Sequence, residues 1–218
     1  MAFKKTYFSE INLLSYLIIL LPIFLISGPF LTDLVISILA VFFFVFVREK
    51  KFYLNYFFLF FCLFYIVLVI SSCFADFKYM SLKSSLFYFR FGFFSLFFWY
   101  LIEKNKKILS NIFYILLFCF IAIFIDSFYQ FSTGSNILNM KIVFENRVSS
   151  FFGDELKMGS YLVRLFPILL SLYFFVFNDK SIKEKLYINI FFLFLLQTSI
   201  FLSGERTSFF FICSGNIT

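Results

Sequence analysis

The sequence predicts an all-helical, polytopic transmembrane bundle of seven spans plus a truncated eighth, on three observations. Of 218 residues, 62% are hydrophobic and only 14% are charged, against roughly half and a quarter in a typical globular domain. Phe alone contributes 43 residues, close to one in five, and so few charges cannot cover the apolar surface of a soluble fold with this composition. The apolar residues also fall in runs of 17 to 20 with short polar breaks between them. That length crosses a hydrocarbon core of ~30 Å at ~1.5 Å per residue. The runs lack the in–out alternation of barrel strands, so helix is the state that satisfies their backbone inside lipid. With Gly 7, Pro 3 and Cys 4 in the chain, collagen-like, disordered and disulfide-scaffold classes are excluded.

The first span is expected at 11–27, behind Lys4 and Lys5. It reads as an uncleaved helix, because no small-residue cleavage triplet follows it. Gly28-Pro29 turns the chain into a second span at 30–47. Further spans are expected at 52–71, 86–102 and 108–125, then at 161–177 and 186–203, with an outer loop at 126–160. The whole is read as a single transmembrane domain. A last apolar run, 207–218, is too short to cross, so the chain is expected to stop inside an eighth helix and to be a fragment. Pro22 and Pro167 fall within spans and are expected to kink them. Cys62, Cys73, Cys119 and Cys213 form no CxxC pair and read as small hydrophobes in or beside helices.

The net charge of +7 is read as membrane topology rather than nucleic-acid binding. With the N-terminus in the cytoplasm, the inner segments hold eleven basic residues: Lys4, Lys5, Arg48, Lys50, Lys51, Lys104, Lys106, Lys107, Lys180, Lys183 and Lys185. The outer connections are sparse in Lys, as the positive-inside rule requires. The expected topology is therefore multi-pass with a cytoplasmic N-terminus.

Outside those inner clusters half of the eight remaining basic residues are Arg, namely Arg90, Arg147, Arg164 and Arg206, whereas the eleven inner ones include a single Arg, Arg48. A planar guanidinium holds a phosphate through two parallel hydrogen bonds, whereas Lys supplies a point charge. A charge inside a span costs at least ~2.5 kcal/mol at mid-membrane, so Arg90 and Arg164 are functional candidates. Each Arg also has a simpler reading. Arg90 and Arg164 can snorkel to headgroups, Arg147 can be solvated, and Arg206 can pair with Glu205 at the surface. Asp126 reads as a helix-end cap, with a ligand role as the alternative. Histidine is absent, which removes the commonest general base and zinc ligand. There is no Walker loop, GxGxxG, HExxH or Ser-His-Asp set, and no carboxylate deep in a span.

Two blocks of the chain resemble the O-antigen ligase and polymerase family of multi-pass bacterial enzymes. The first runs Asp126…Gln130…Gly134, then Arg147-Val-Ser-Ser-Phe-Phe-Gly153-Asp-Glu155, then Gly159-Ser-Tyr161-Leu162…Arg164…Pro167. The second is Ser203-Gly204-Glu205-Arg206-Thr207. The Gly-Pro break after the first span and the segment SLKSSLFYFRF are similar too. The resemblance implies transfer of a glycan from an undecaprenyl-pyrophosphate carrier at the outer face, to a lipid A–core acceptor or a growing glycan chain, without ATP, metal or other cofactor. It implies that Arg147 and Arg206 hold the pyrophosphate, with Arg164 and Arg90 as further candidates and Asp154, Glu155 and Glu205 in support. It assigns no catalytic residue here, and the chain alone is expected not to turn over. Two other readings fit the residues: a transporter or flippase of lipid-linked sugars, and a non-catalytic membrane fragment.

Overall fold

The computed structural model describes residues 13–47, 49–142, 147–153, 155–178 and 181–205. Lys4, Lys5, Arg48, Asp154, Lys180, Arg206 and the expected eighth span at 207–218 lie outside the described residues. The described chain is helical, with no named strand. Six helices are long and apolar enough to cross a membrane: Pro29–Phe46, Tyr56–Cys73, Lys78–Lys104, Lys107–Thr133, Met158–Val176 and Lys183–Ser203. This fits a multi-pass membrane protein.

The first expected span departs from its reading. It forms two short helices, α1 at residues 13–19 and α2 at Leu21–Ser27. Pro22 explains the break, because it offers no N–H to the carbonyl four residues back and its ring crowds that carbonyl. Gly28, at φ +125°, then ends α2, and Pro29 opens α3 (Pro29–Phe46). Proline suits that first helical position, where its missing N–H costs nothing.

The chain divides into two compact units. The first, residues 1–21 and 29–108, is built on α3 packed against α7 (Phe89–Lys104). Leu39, Ala40 and Phe43 of α3 are buried, as are Leu96, Phe97 and Leu101 of α7. Phe43 meets Phe97 edge-on at 6.2 Å and Phe52 at 6.1 Å. In lipid such contacts act through dispersion rather than exclusion of water. Phe52 belongs to the short α4 (Lys50–Tyr53). Next comes α5 (Tyr56–Cys73), capped by Asn55, whose side chain accepts the Phe58 N–H at 2.8 Å. Helix α5 buries almost none of its surface within the chain. It packs on α6 (Lys78–Leu86), and its Phe61 ring lies over Gly92 of α7, where any larger residue would collide.

The second unit, residues 22–28 and 109–218, holds most of α8 (Lys107–Thr133), α9 (Met158–Val176) and α10 (Ile182–Ser203). Its core combines Phe113, Leu116 and Ile123 with Leu162, Leu169 and Tyr173, and with Leu196 and Ile200. The Tyr161 hydroxyl donates to the Pro22 carbonyl at 3.0 Å. Helix α9 runs unbroken through Pro167. Ser181 caps α10 by accepting the Glu184 N–H at 3.3 Å, and Gly204 ends it in the left-handed conformation.

The loop after the fifth expected span is shorter than the expected 126–160. Helix α8 continues two turns past residue 125, to Thr133. No Gly or Pro interrupts it before Gly134. The hydroxyls of Ser127, Ser132 and Thr133 fold back onto carbonyls three or four residues earlier, so polar side chains do not stop the helix.

Candidate functional site

The α8 overrun decides how the following loop is held. Asp126 and Gln130 sit four residues apart, on one face of the helix, and both are fully buried. Asp126 is thus a helix-interior anchor and not a helix-end cap. Its Oδ1 accepts the Ile137 N–H at 2.9 Å, and its Oδ2 accepts the Ser150 hydroxyl at 2.6 Å. The Gln130 Oε1 accepts the N–H groups of Ser149 and Ser150 at 3.2 and 2.7 Å. Asn136 donates from Nδ2 to the Ser150 carbonyl at 2.9 Å and accepts the Met140 N–H at 2.7 Å. Three side chains therefore grip the amide, hydroxyl and carbonyl of Ser150. That grip holds a non-glycine residue at φ +52°, a conformation that persists only where its surroundings over-determine it.

The anchored loop delivers Arg147 to the end of α10. The Val148 N–H donates to the Leu202 carbonyl at 3.1 Å, and Arg147 Nη2 donates to the Gly204 carbonyl at 2.5 Å. Gly204 serves twice. Its φ of +63° closes the helix, and its missing Cβ admits the guanidinium, since a Cβ would lie 2.9 Å from Arg147 Nε. Arg147 Nη2 is held by a neutral carbonyl, and no carboxylate among the described residues pairs with it.

Next to Gly204, Glu205 turns back onto the start of α9. Its Oε1 accepts the Gly159 N–H at 2.8 Å, and its Oε2 accepts the Ser160 hydroxyl at 2.7 Å. A carboxylate here answers free N–H groups and the positive end of the helix dipole. Gly159 leaves it room, because a Cβ would come within 3.0 Å of the carboxylate carbon.

The structure thus brings Arg147 and Glu205 of the sequence-derived set to either side of Gly204. Glu155 instead pairs with Lys157 at 2.6 Å on an exposed stretch. Arg164 is exposed on α9, and makes no ion pair among the described residues. Arg90 lies in the first unit, where its Nη2 meets Asp33 Oδ2 at 2.9 Å and its Nη1 donates to the Ser37 hydroxyl at 3.4 Å. Asp154 and Arg206 lie outside the described residues. Gln130, Asn136 and Ser150 hold the site together, yet sequence reasoning gave them no role. Amides and hydroxyls that serve as anchors carry no spacing signature. Among the described residues, no three of His, Cys, Asp and Glu cluster as metal ligands would. Chemically, the site offers a guanidinium held by the Gly204 carbonyl, beside a helix N-terminus whose amide is already taken by Glu205.

Comparison with family models, with curated proteins and with solved structures returns no match.

Proposed function

We propose that the chain acts in membrane-embedded glycan transfer of the O-antigen ligase or polymerase kind. Its substrate would be a glycan on an undecaprenyl-pyrophosphate carrier, handled at the outer face of a bacterial inner membrane. The observation that carries this reading is the meeting of the two sequence blocks. The 147–160 block and the 203–205 block join through three hydrogen bonds, Arg147 to Gly204 and Gly159 and Ser160 to Glu205, with a fourth from Val148 to Leu202 just before the second block. The residues that resemble a pyrophosphate-handling family are therefore neighbours in space. Arg147, which has no ion-pair partner among the described residues, supplies positive charge where a leaving pyrophosphate develops negative charge.

Binding tests the reading without requiring turnover. The purified chain in lipid nanodiscs is titrated with undecaprenyl pyrophosphate, and with the uncharged alcohol as control. The pyrophosphate should bind and the alcohol should not compete. Arg147→Ala should weaken binding by about ten-fold or more, because a hydrogen bond to a charged group contributes about 1.5–3 kcal/mol. Arg147→Lys should recover little, since Lys lacks the planar fork. Unchanged affinity in Arg147→Ala would remove the support for this site.

A further inference from the structure

Two basic segments, 52 residues apart in sequence at their closest link, are stitched together at one end of the first unit. Lys51 of α4 donates to Glu103 near the end of α7 and lies 3.5 Å from Glu49. Glu49 in turn faces Lys104 at 3.6 Å. The rings of Phe52 and Tyr100 lie under the two paired ammonium groups, at 4.7 and 5.3 Å. Both carboxylates of the cluster are spent on this stitching. Lys50, Lys106 and Lys107 remain exposed, without an ion pair among the described residues. Five lysines against two glutamates leave three positive charges in excess, concentrated by folding and not merely by sequence.

The position of this patch narrows what it can hold. It lies where α3 ends, α5 begins, α7 ends and α8 begins, at the ends of four apolar helices. Leu54 and Tyr56 beside it are 81% and 84% exposed. The only Trp of the chain, Trp99, lies about one turn before Glu103 on α7, partly exposed and edge-on to Phe52 at 5.1 Å. An occupant must offer negative charge to the free ammonium groups and apolar length to the helix ends below them. An acidic protein segment offers the first without the second.

We infer that Lys50, Lys106 and Lys107 form a binding site for the phosphate headgroup of an anionic phospholipid, selected over zwitterionic lipid. The positive-inside tendency alone would scatter lysines along the membrane surface. Here two ion-paired links gather them into one patch. A Lys close to a membrane surface attracts anionic lipid by an amount that corresponds to about a five-fold preference. The inference does not depend on the proposed transferase activity.

Trp99 provides the test. The whole chain is reconstituted in phosphatidylcholine vesicles containing equal amounts of dibrominated phosphatidylglycerol or dibrominated phosphatidylcholine, and tryptophan fluorescence is read. Brominated phosphatidylglycerol should quench at least about two-fold more strongly at low salt. The difference should vanish at ~1 M salt, where the screening length is about 3 Å. It should vanish likewise in the triple variant Lys50→Gln, Lys106→Gln, Lys107→Gln, whose changes are all on exposed side chains. Equal quenching by the two lipids at low salt would overturn the inference. So would a selectivity that survives undiminished in the triple variant, which would place the anionic site elsewhere.

Discussion

The Glu205 carboxylate accepts the Gly159 amide N–H at 2.8 Å, across 46 residues of sequence. The contact closes the N-terminus of α9 with a side chain from the residue that follows α10's glycine cap. It depends on the absence of a side chain at Gly159, because a Cβ there would sit 2.9 Å from Ser203 Oγ and 3.0 Å from the Glu205 carboxylate carbon.

That dependence predicts coupling between the two positions. Glu205→Ala should cost about 1–3 kcal/mol, since it strips the acceptor from a buried amide and removes an anion from a helix N-terminus. Gly159→Ala should be destabilising by a similar amount through collision, although Ala is the better helix former by about 1 kcal/mol. In the Glu205→Ala background the collision eases and the propensity gain emerges. The double variant should therefore be more stable than the sum of the singles by at least about 0.5 kcal/mol. Reversible unfolding in mixed micelles measures the cycle, and strict additivity would show that the two residues do not compete for the same space.

The buried carboxylate of α8 predicts a graded series. Asp126→Ala leaves the Ser150 hydroxyl and the Ile137 amide without their acceptor, at about 1–3 kcal/mol for each unsatisfied group. Asp126→Asn should fall between this variant and the parent. Its carbonyl still accepts one hydrogen bond, and the Ser150 hydroxyl can rotate to accept the other. The readout is proteolytic cleavage within residues 134–157, which should accelerate in the order parent, Asn, Ala. Parent-like resistance in the Ala variant would mean that the loop is held without Asp126.

These two contacts show where the sequence was legible. Long apolar runs are set by local composition, so the helices around 30–47, 52–71, 108–125 and 161–177 could be read from the sequence. The Ser181-x-x-Glu184 cap of α10 is likewise local. The end of α8 was misread because Asp, Ser, Gln and Thr at 126–133 look like loop. In the helix, their hydroxyls bond back to their own backbone and their carboxylate and amide turn inward. Arg147 and Glu205 were named from sequence, Glu205 as a supporting residue with a surface pair to Arg206 as the simpler alternative. Its hold on Gly159 and Ser160 is set by the packing of α9 against α10, which no local pattern encodes. The break at Leu20 was foreshadowed by Pro22, but its effect on the length of the first span was not.

The lysine distribution predicts sidedness. Residues 134–157 should face the outer side, and the connections at 105–106 and 178–181 the inner side. Native cysteines are first replaced by Ala, and single cysteines are then introduced as Ser135→Cys and Ser181→Cys. Position 181 is exposed and 135 is half-exposed. An impermeant thiol reagent added outside intact cells should label position 135 and spare 181 until the membrane is opened. Labelling of 181 with protection of 135 would invert the topology, and with it the face on which Arg147 works.

Arg90 and Arg147 differ in what already holds them, and this separates their expected roles. Arg90 has a carboxylate partner: Asp33 lies 2.9 Å away on α3, so the pair ties α3 to α7 within the first unit. Its charge is paired in the folded chain, whereas Arg147 has no ion-pair partner among the described residues. The side chains are 23% and 50% exposed, and at such exposure an ion pair contributes about 1 kcal/mol or less in water. Breaking it costs more when the surviving charge lies near lipid, so Asp33→Asn should lower stability by about 1–2 kcal/mol. The charge-swapped double variant Asp33→Arg, Arg90→Asp should recover part of that loss, as expected of two residues that chiefly need each other. Undecaprenyl-pyrophosphate affinity should be unchanged in Asp33→Asn and in the swap, while Arg147→Ala lowers it. If the swap restores stability but abolishes binding, Arg90 contacts the ligand directly and the structural reading of its ion pair fails.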